Sequence, residues 1–188
     1  MPQVSSPRSI ALVLYPGCAL LDVVTPLAEL RTLGEGYRIT TVASRMRPMS
    51  GSGPVRLLAE RTFDEVGAPA AILVPGGGAS TVTALSERPL IAYLQAIAEH
   101  AEILAAIGSG SLLLGAAGLL QGRRATTPPE FGETLEMLGA RYVPEALVEE
   151  GRLLTASDST VSLPLTRRLV QRLSPAKAPT LPSKGDPA

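Results

Sequence analysis

The 188-residue sequence contains one cysteine, Cys18, and one histidine, His100. A lone cysteine excludes an internal disulfide and fits a reducing cytoplasm. With a single histidine beside it, a His/Cys metal cluster within one chain is excluded too. Ser-His-Asp or Cys-His catalysis would have to use His100. That residue falls near the carboxyl end of an amphipathic helix, where it reads as a solvated surface group favoured by the helix dipole. An excess of one charge is also missing, because 17 basic residues balance 17 acidic ones. No basic run or stripe stands out, which argues against nucleic acid as a partner. No stretch reaches the ~18–20 unbroken apolar residues of a membrane helix. Met1 to Arg8 lacks the charged-then-apolar order of a signal peptide and reads as a short flexible end.

What is present is core material. Hydrophobic residues make up 45% and charged residues 18%, enough for one soluble domain with a single sizeable core. The organising stretch is Ile103 to Gly115, in which an apolar run of strand length meets Gly108-Ser109-Gly110 and then a wholly apolar helix-length run. This is how a buried central strand hands over to a buried helix through a tight elbow. Upstream, Ser9 to Tyr15 reads as a buried parallel strand closed by Pro16-Gly17. Thr25 can cap a helix with Pro26 at its first position, running to Leu33. Tyr37 to Ser44 reads as a second strand, Pro48 to Val66 as a small hairpin excursion, and Ala70 to Val74 as a third strand ending in Pro75-Gly76-Gly77-Gly78. Ser86 can cap a helix with Leu90, Leu94, Ile97 and Ala101 on one face. After the elbow helix of Ser111 to Leu120 come a short extended piece at Arg123 to Thr127 and a helix over Glu130 to Leu138. Candidate strands follow at Tyr142-Val143 and Leu153 to Ala156, then a last helix over Thr160 to Leu173, with a possible bend at Pro164. Ser174 to Ala188 carries almost no core material and reads as a disordered tail. Alternating strands and helices predict a single α/β domain over residues 9–173, doubly wound, with a mostly parallel sheet and helices on both faces. The turns Pro16 to Asp22, Pro75 to Gly78 and Gly108 to Ser111 should then converge on one crevice.

Several motifs in this order resemble the ThiJ/PfpI superfamily and its flavodoxin-like fold. They are Val13-Leu14-Tyr15-Pro16-Gly17 with Leu21-Asp22, Val74-Pro75-Gly76-Gly77, Gly110 to Leu120, and Gly122-Arg123-Arg124-Ala125-Thr126-Thr127. The isonitrile hydratase-like branch, shared with amidase-like sensor domains of certain transcription activators, is the most similar. The resemblance implies a nucleophilic cysteine at the elbow, an acidic residue after the first strand and often a histidine after Ala-Thr-Thr. Here the acidic residue is Asp22, but the cysteine position falls on Gly108 and the histidine position on Pro128. Ser157-Asp158-Ser159-Thr160 replaces the glycine-rich turn before the last helix. Cysteine-based hydrolysis, glyoxalase and deglycase chemistry therefore do not carry over. With only a short tail after residue 173, a self-contained transcription factor is not expected either. Elbow residues are held at positive φ, which costs a non-glycine residue about 1–2 kcal/mol, so glycine at 108 removes strain that an unused nucleophile would keep.

Asp22 is the principal catalytic candidate. A carboxylate between Leu21 and Val23 at a strand's end is partly desolvated and suited to general acid/base work, though the same residue could simply start a helix. Gly76, Gly77 and Gly78 could present amides to a carbonyl, or form a tight turn against a helix. Gly108 leaves room for a ligand, and Ser109 could bond it or cap the next helix. Cys18 could act as a displaced nucleophile beside the crevice or be a small buried hydrophobe. Glu130 could reach the space of the family's histidine or favour the helix dipole from solvent. Thr127 is a strand-end residue that could line the pocket, and Asp158 reads as a helix cap or a second carboxylate at its edge. Together these predict a cofactor-independent enzyme on a small organic, carbonyl-type substrate, of lyase/hydratase, isomerase or cyclase type. The alternative is a non-catalytic ligand-binding or scaffold protein. Either is expected to be a cytoplasmic homodimer without metal, nucleic acid or membrane.

Overall fold

In the computed structural model, which describes residues 7–174, the buried runs form one seven-stranded sheet. Its strands are β1 (Arg8–Val13), β2 (Tyr37–Ala43), β5 (Arg61–Thr62), β6 (Ala71–Val74), β7 (Ile103–Ile107), β10 (Leu147–Glu150) and β11 (Leu153–Ala156). Two short pairs lie outside it: β3 (Met49–Ser50) with β4 (Arg56–Leu57), and β8 (Arg124–Ala125) with β9 (Arg141–Tyr142). The order in the main sheet is β10-β11-β7-β6-β1-β2-β5. Every pairing is parallel except β10 with β11. The expectations of a flexible amino end and a disordered tail lie outside the described residues for 1–6 and 175–188. Arg8, assigned above to that end, already belongs to β1.

β6 and β7 are apolar along their whole length, and β1 from Ile10 on, because both faces are covered, so they lack the alternation of a half-wet strand. Ile10, Leu12, Ile72, Leu73, Leu104 and Ile107 are all fully buried. α1 (Leu21–Leu30) and α6 (Ser162–Leu173) pack together, with α6 also against β7 and β11. α4 (Gly110–Ala116) packs on β6 and β7 and meets α2 (Ala79–Ala84), α3 (Arg88–Ala98) and α5 (Gly132–Met137). Strand order reverses at β1, whose neighbours are β2 and β6. The carboxyl ends of β1 and β6 thus form the switch-point crevice of a doubly wound sheet.

Several helix starts differ from the sequence reading. α1 begins at Leu21 instead of Pro26, so Pro26 sits inside it. The missing N–H of Pro26 leaves the Asp22 carbonyl without its helical donor, yet tertiary bonds from the Asp22 side chain hold the first turn. Ser86 caps nothing: Glu87 precedes α3, with Pro89 in the first turn. α2 was missed because Ala-Ser-Thr-Val-Thr-Ala is rich in β-branched residues and shows no apolar face. β10 was missed because only Val148 of its four residues is buried. Pro164 falls in the first turn of α6, where no helical N–H is needed, and the expected bend has no cause there. His100 is exposed just past α3, as its spacing indicates.

Candidate functional site

The loop after β1 turns at Gly17, whose φ of +81° is open to glycine without penalty. Its amides tie it to neighbours, with Ala19 N–H donating to the Gly76 carbonyl at 2.7 Å and Gly17 N–H to the Ser50 carbonyl at 2.6 Å. This presents Asp22 toward the glycine loop after β6. The Asp22 carboxylate is fully buried. Its Oδ2 accepts from Gly76 N–H at 3.0 Å and its Oδ1 from the Ser162 hydroxyl at 2.8 Å. Both donors are neutral, and none of the ion pairs among the described residues includes Asp22. Ser162 was invisible from sequence. It lies 140 positions from Asp22, and a serine in a helix's first turn reads as an ordinary cap.

The elbow is as the sequence demands. Gly108 has a φ of +54° between β7 and α4, while no described non-glycine residue has positive φ. A Cβ on Gly108 would lie 3.7 Å or more from its surroundings, the nearest being the Asp158 Cα. At Gly76 and Gly110 there is no such space. A Cβ on Gly76 would come within 3.0 Å of Asp22 Oδ2 and of the Ile107 carbonyl, and one on Gly110 within 2.6 Å of the Val74 and Pro75 carbonyls. Close backbone approach therefore requires glycine at 110, while a side chain at 76 would press on Asp22 and the Ile107 carbonyl.

Ser109 does not cap α4. Its Oγ turns back and accepts from Gly77 N–H at 3.1 Å and Gly78 N–H at 2.9 Å. It also lies 2.8 Å from Thr81 Oγ1, which lies 2.8 Å from the Tyr15 hydroxyl. Tyr15 donates to the Pro75 carbonyl at 2.8 Å, so its single proton fixes the direction of the whole chain. Thr81 donates to Tyr15, and Ser109 donates to Thr81. Burial pushes the Tyr15 phenol well above its ordinary range, which keeps it a neutral donor. The expected role of Gly76, Gly77 and Ser109 in orienting a substrate carbonyl meets internal bonding at the glycine amides and at the Ser109 hydroxyl. All three glycine amides have protein acceptors, and Ser109 has both lone pairs and its proton engaged. These groups clamp the loop to the elbow.

The three turns do converge. A cleft of about 190 Å³ is lined by Asp22, Gly76, Gly77, Gly108 and Ser109, together with Pro128, Glu130 and Asp158. Glu130 is exposed at the rim. Asp158 serves both roles left open by the sequence. It borders the cleft and caps the turn before α6, accepting from Thr160 N–H at 2.7 Å. The Thr160 hydroxyl and then Ser157 hold its carboxyl below the usual range. Two candidates fall outside the cleft. Cys18 is fully buried in the core, with its thiol pushed up by desolvation. Thr127 bonds the Gly108 carbonyl at 3.3 Å and lines a neighbouring hollow of about 260 Å³ with Thr126, Tyr142 and Glu145. Among the described residues no group of three or more His, Cys, Asp or Glu is placed to hold a metal ion, and no helix is long and apolar enough to cross a membrane.

A model of the DJ-1/PfpI family matches residues 8–172. An isonitrile hydratase of Pseudomonas putida is 31% identical over 164 residues, which is 87% of this chain and 71% of that protein. A deglycase of Thermococcus kodakarensis is 24% identical over 138 residues, 72% of this chain and 81% of its own. Among solved structures, a ThiJ/PfpI family protein from Pseudomonas syringae superposes with a TM-score of 0.84 at 26% identity, covering 92% of this chain and 75% of that one.

Proposed function

The chain belongs to the DJ-1/PfpI family, and from that premise we propose that it is a cofactor-independent enzyme of lyase/hydratase type acting on a small unsaturated or carbonyl compound. Asp22 is its general acid/base. The observation that carries this reading is the Asp22 carboxylate itself, held by two neutral donors on the wall of a small cleft. Such a group can give and take a proton without breaking an ion pair. In the hydration direction, Asp22 removes one proton from water as the oxygen adds to the electrophilic carbon. It returns that proton to the other end of the multiple bond, so H and OH are added and the carboxylate is regenerated. The space at Gly108, where a side chain would fit, takes the water or the reacting carbon. Isonitrile hydration, the activity named for the Pseudomonas putida relative, is a variant of this step in which Asp22 returns the proton to the same terminal carbon that takes the hydroxyl, and the product tautomerises to the formamide.

A second reading has its own support. With the glycine amides and Ser109 engaged internally, few donors remain to stabilise developing charge, which favours a ligand-binding protein that has lost catalysis. Asp22→Asn separates the two. Asparagine can accept from Gly76 N–H and donate to Ser162 Oγ, so the fold stands while proton exchange is lost. With alkyl isonitriles and small aldehydes as substrates and water addition followed by mass spectrometry, the variant should lose about 10²–10⁴ in rate. Native-like turnover by the variant overturns the acid/base role. If turnover is then lost in Cys18→Ala, a cysteine mechanism takes its place. Absence of turnover by the native protein on every compound favours the binding reading. In either case we propose a cytoplasmic homodimer.

A further inference from the structure

A separate hollow, of about 480 Å³, lies elsewhere along the carboxyl edge of the sheet and shares no lining residue with the Asp22 cleft. Its walls carry Arg45 and Arg47, from the turn after β2, and Arg88, the first residue of α3. Arg88 stands about 40 residues beyond the neighbouring pair Arg45 and Arg47 in the sequence, and only the fold brings it to them. The ion pairs among the described residues use Arg8, Arg61, Arg123, Arg124, Arg167 and Arg168. None of the three cleft arginines is paired. Glu87 is the only carboxylate on the wall, so three positive charges against one negative leave a local excess of two. The protein's net charge is zero, so this attraction is local and does not belong to the whole molecule. Beneath the arginines the floor is apolar, with Leu14 buried and Met49 half-buried.

We propose that this cleft is a second ligand site, for a small organic phosphate. A phosphate monoester carries about −1.5 to −2 charge at neutral pH, which matches the local excess. Its oxygens suit the planar forks of several guanidinium groups, and its organic body can rest on the apolar floor. A volume of this size lies within the ordinary range for small-ligand sites.

The test is calorimetric titration of the full chain with adenosine 5′-monophosphate, using adenosine and citrate for comparison. The monophosphate should bind with a Kd of ~1 mM or tighter at low salt and weaken as salt rises. Adenosine should bind far more weakly. Arg45→Gln, Arg47→Gln and Arg88→Gln combined should weaken the monophosphate by about tenfold or more. The same charge change at Arg31, Arg38 and Arg141, all exposed outside this cleft, should leave binding unchanged. All six positions are on the surface, and thermal unfolding checks that both triple variants are folded. No binding of the monophosphate overturns the proposal, as does equal weakening by the control triple. Adenosine binding as tightly as the monophosphate, or citrate binding more tightly, overturns the phosphate assignment. The readout is binding alone and Asp22 is untouched, so the result is independent of the catalytic reading.

Discussion

Cys18, on the loop after β1, and Asp22, in the first turn of α1, stand four positions apart, and their surroundings differ in kind. The thiol meets the core and is pushed toward its neutral form by desolvation, whereas Asp22 meets two hydrogen-bond donors at the cleft wall. A neutral, enclosed thiol is a poor nucleophile. In the folded protein Cys18 should resist iodoacetamide at neutral pH and react fully once guanidinium unfolds the chain, as read by intact mass. Fast alkylation of the folded protein would contradict the burial. Asp158 makes a different prediction. Its folded pKa is lowered by the Thr160 and Ser157 bonds, so the bonded carboxylate contributes stability above its unfolded pKa and loses it as pH falls through the lower folded value. Asp158→Ala should therefore cost about 0.5–1 kcal/mol at pH 7, the low end for a lost cap. In urea unfolding that difference should disappear in strong acid.

At the scale of elements, the β7-to-α4 elbow sets the site's geometry, and its two glycines have different reasons for being there. Gly108 answers to φ alone, because a Cβ would meet only ordinary contacts. Gly108→Cys should fold and lose about 1–2 kcal/mol from the left-handed conformation. Gly110 answers to space, since a Cβ would strike two strand-end carbonyls. Gly110→Ala forces α4 away from β6 and should lose several-fold more stability or fail to fold. Chemical denaturation of both variants ranks them, and equal losses would contradict the distinction. The Ser109 clamp belongs to the same scale. The polar residue after the elbow was legible as a candidate. Its use in holding Gly77 and Gly78 was not, because the three loops meet only through folding.

For the whole molecule, exposed apolar residues on α1, Leu21 at 51% and Val24 at 47%, leave surface that a second copy would cover. Sedimentation at micromolar concentration should show a species near twice the 19.5 kDa chain mass. A single ~20 kDa species would count against the dimer.

The sequence by itself determined the inner strands of the sheet, because strands buried on both faces read as unbroken apolar runs, but not the edge strands β5 and β10, which bury little. It also determined the elbow, because glycine takes without strain the positive φ that a sharp strand-to-helix turn requires. Asp22, Gly108 and the glycine loop were readable as site residues, since chain order in a doubly wound sheet places those turns at one edge. Tertiary structure alone decided which hydrogen bonds those groups make. Ser162 reaches Asp22 across 140 residues, the glycine amides go to Ser109 and Asp22 and not to open space, and Cys18 points into the core. Tertiary structure also gathered Arg45, Arg47 and Arg88 around one cleft. Side-chain partnerships and charge clusters depend on distances in space, and a local pattern of residues encodes only what its own backbone and nearest neighbours enforce.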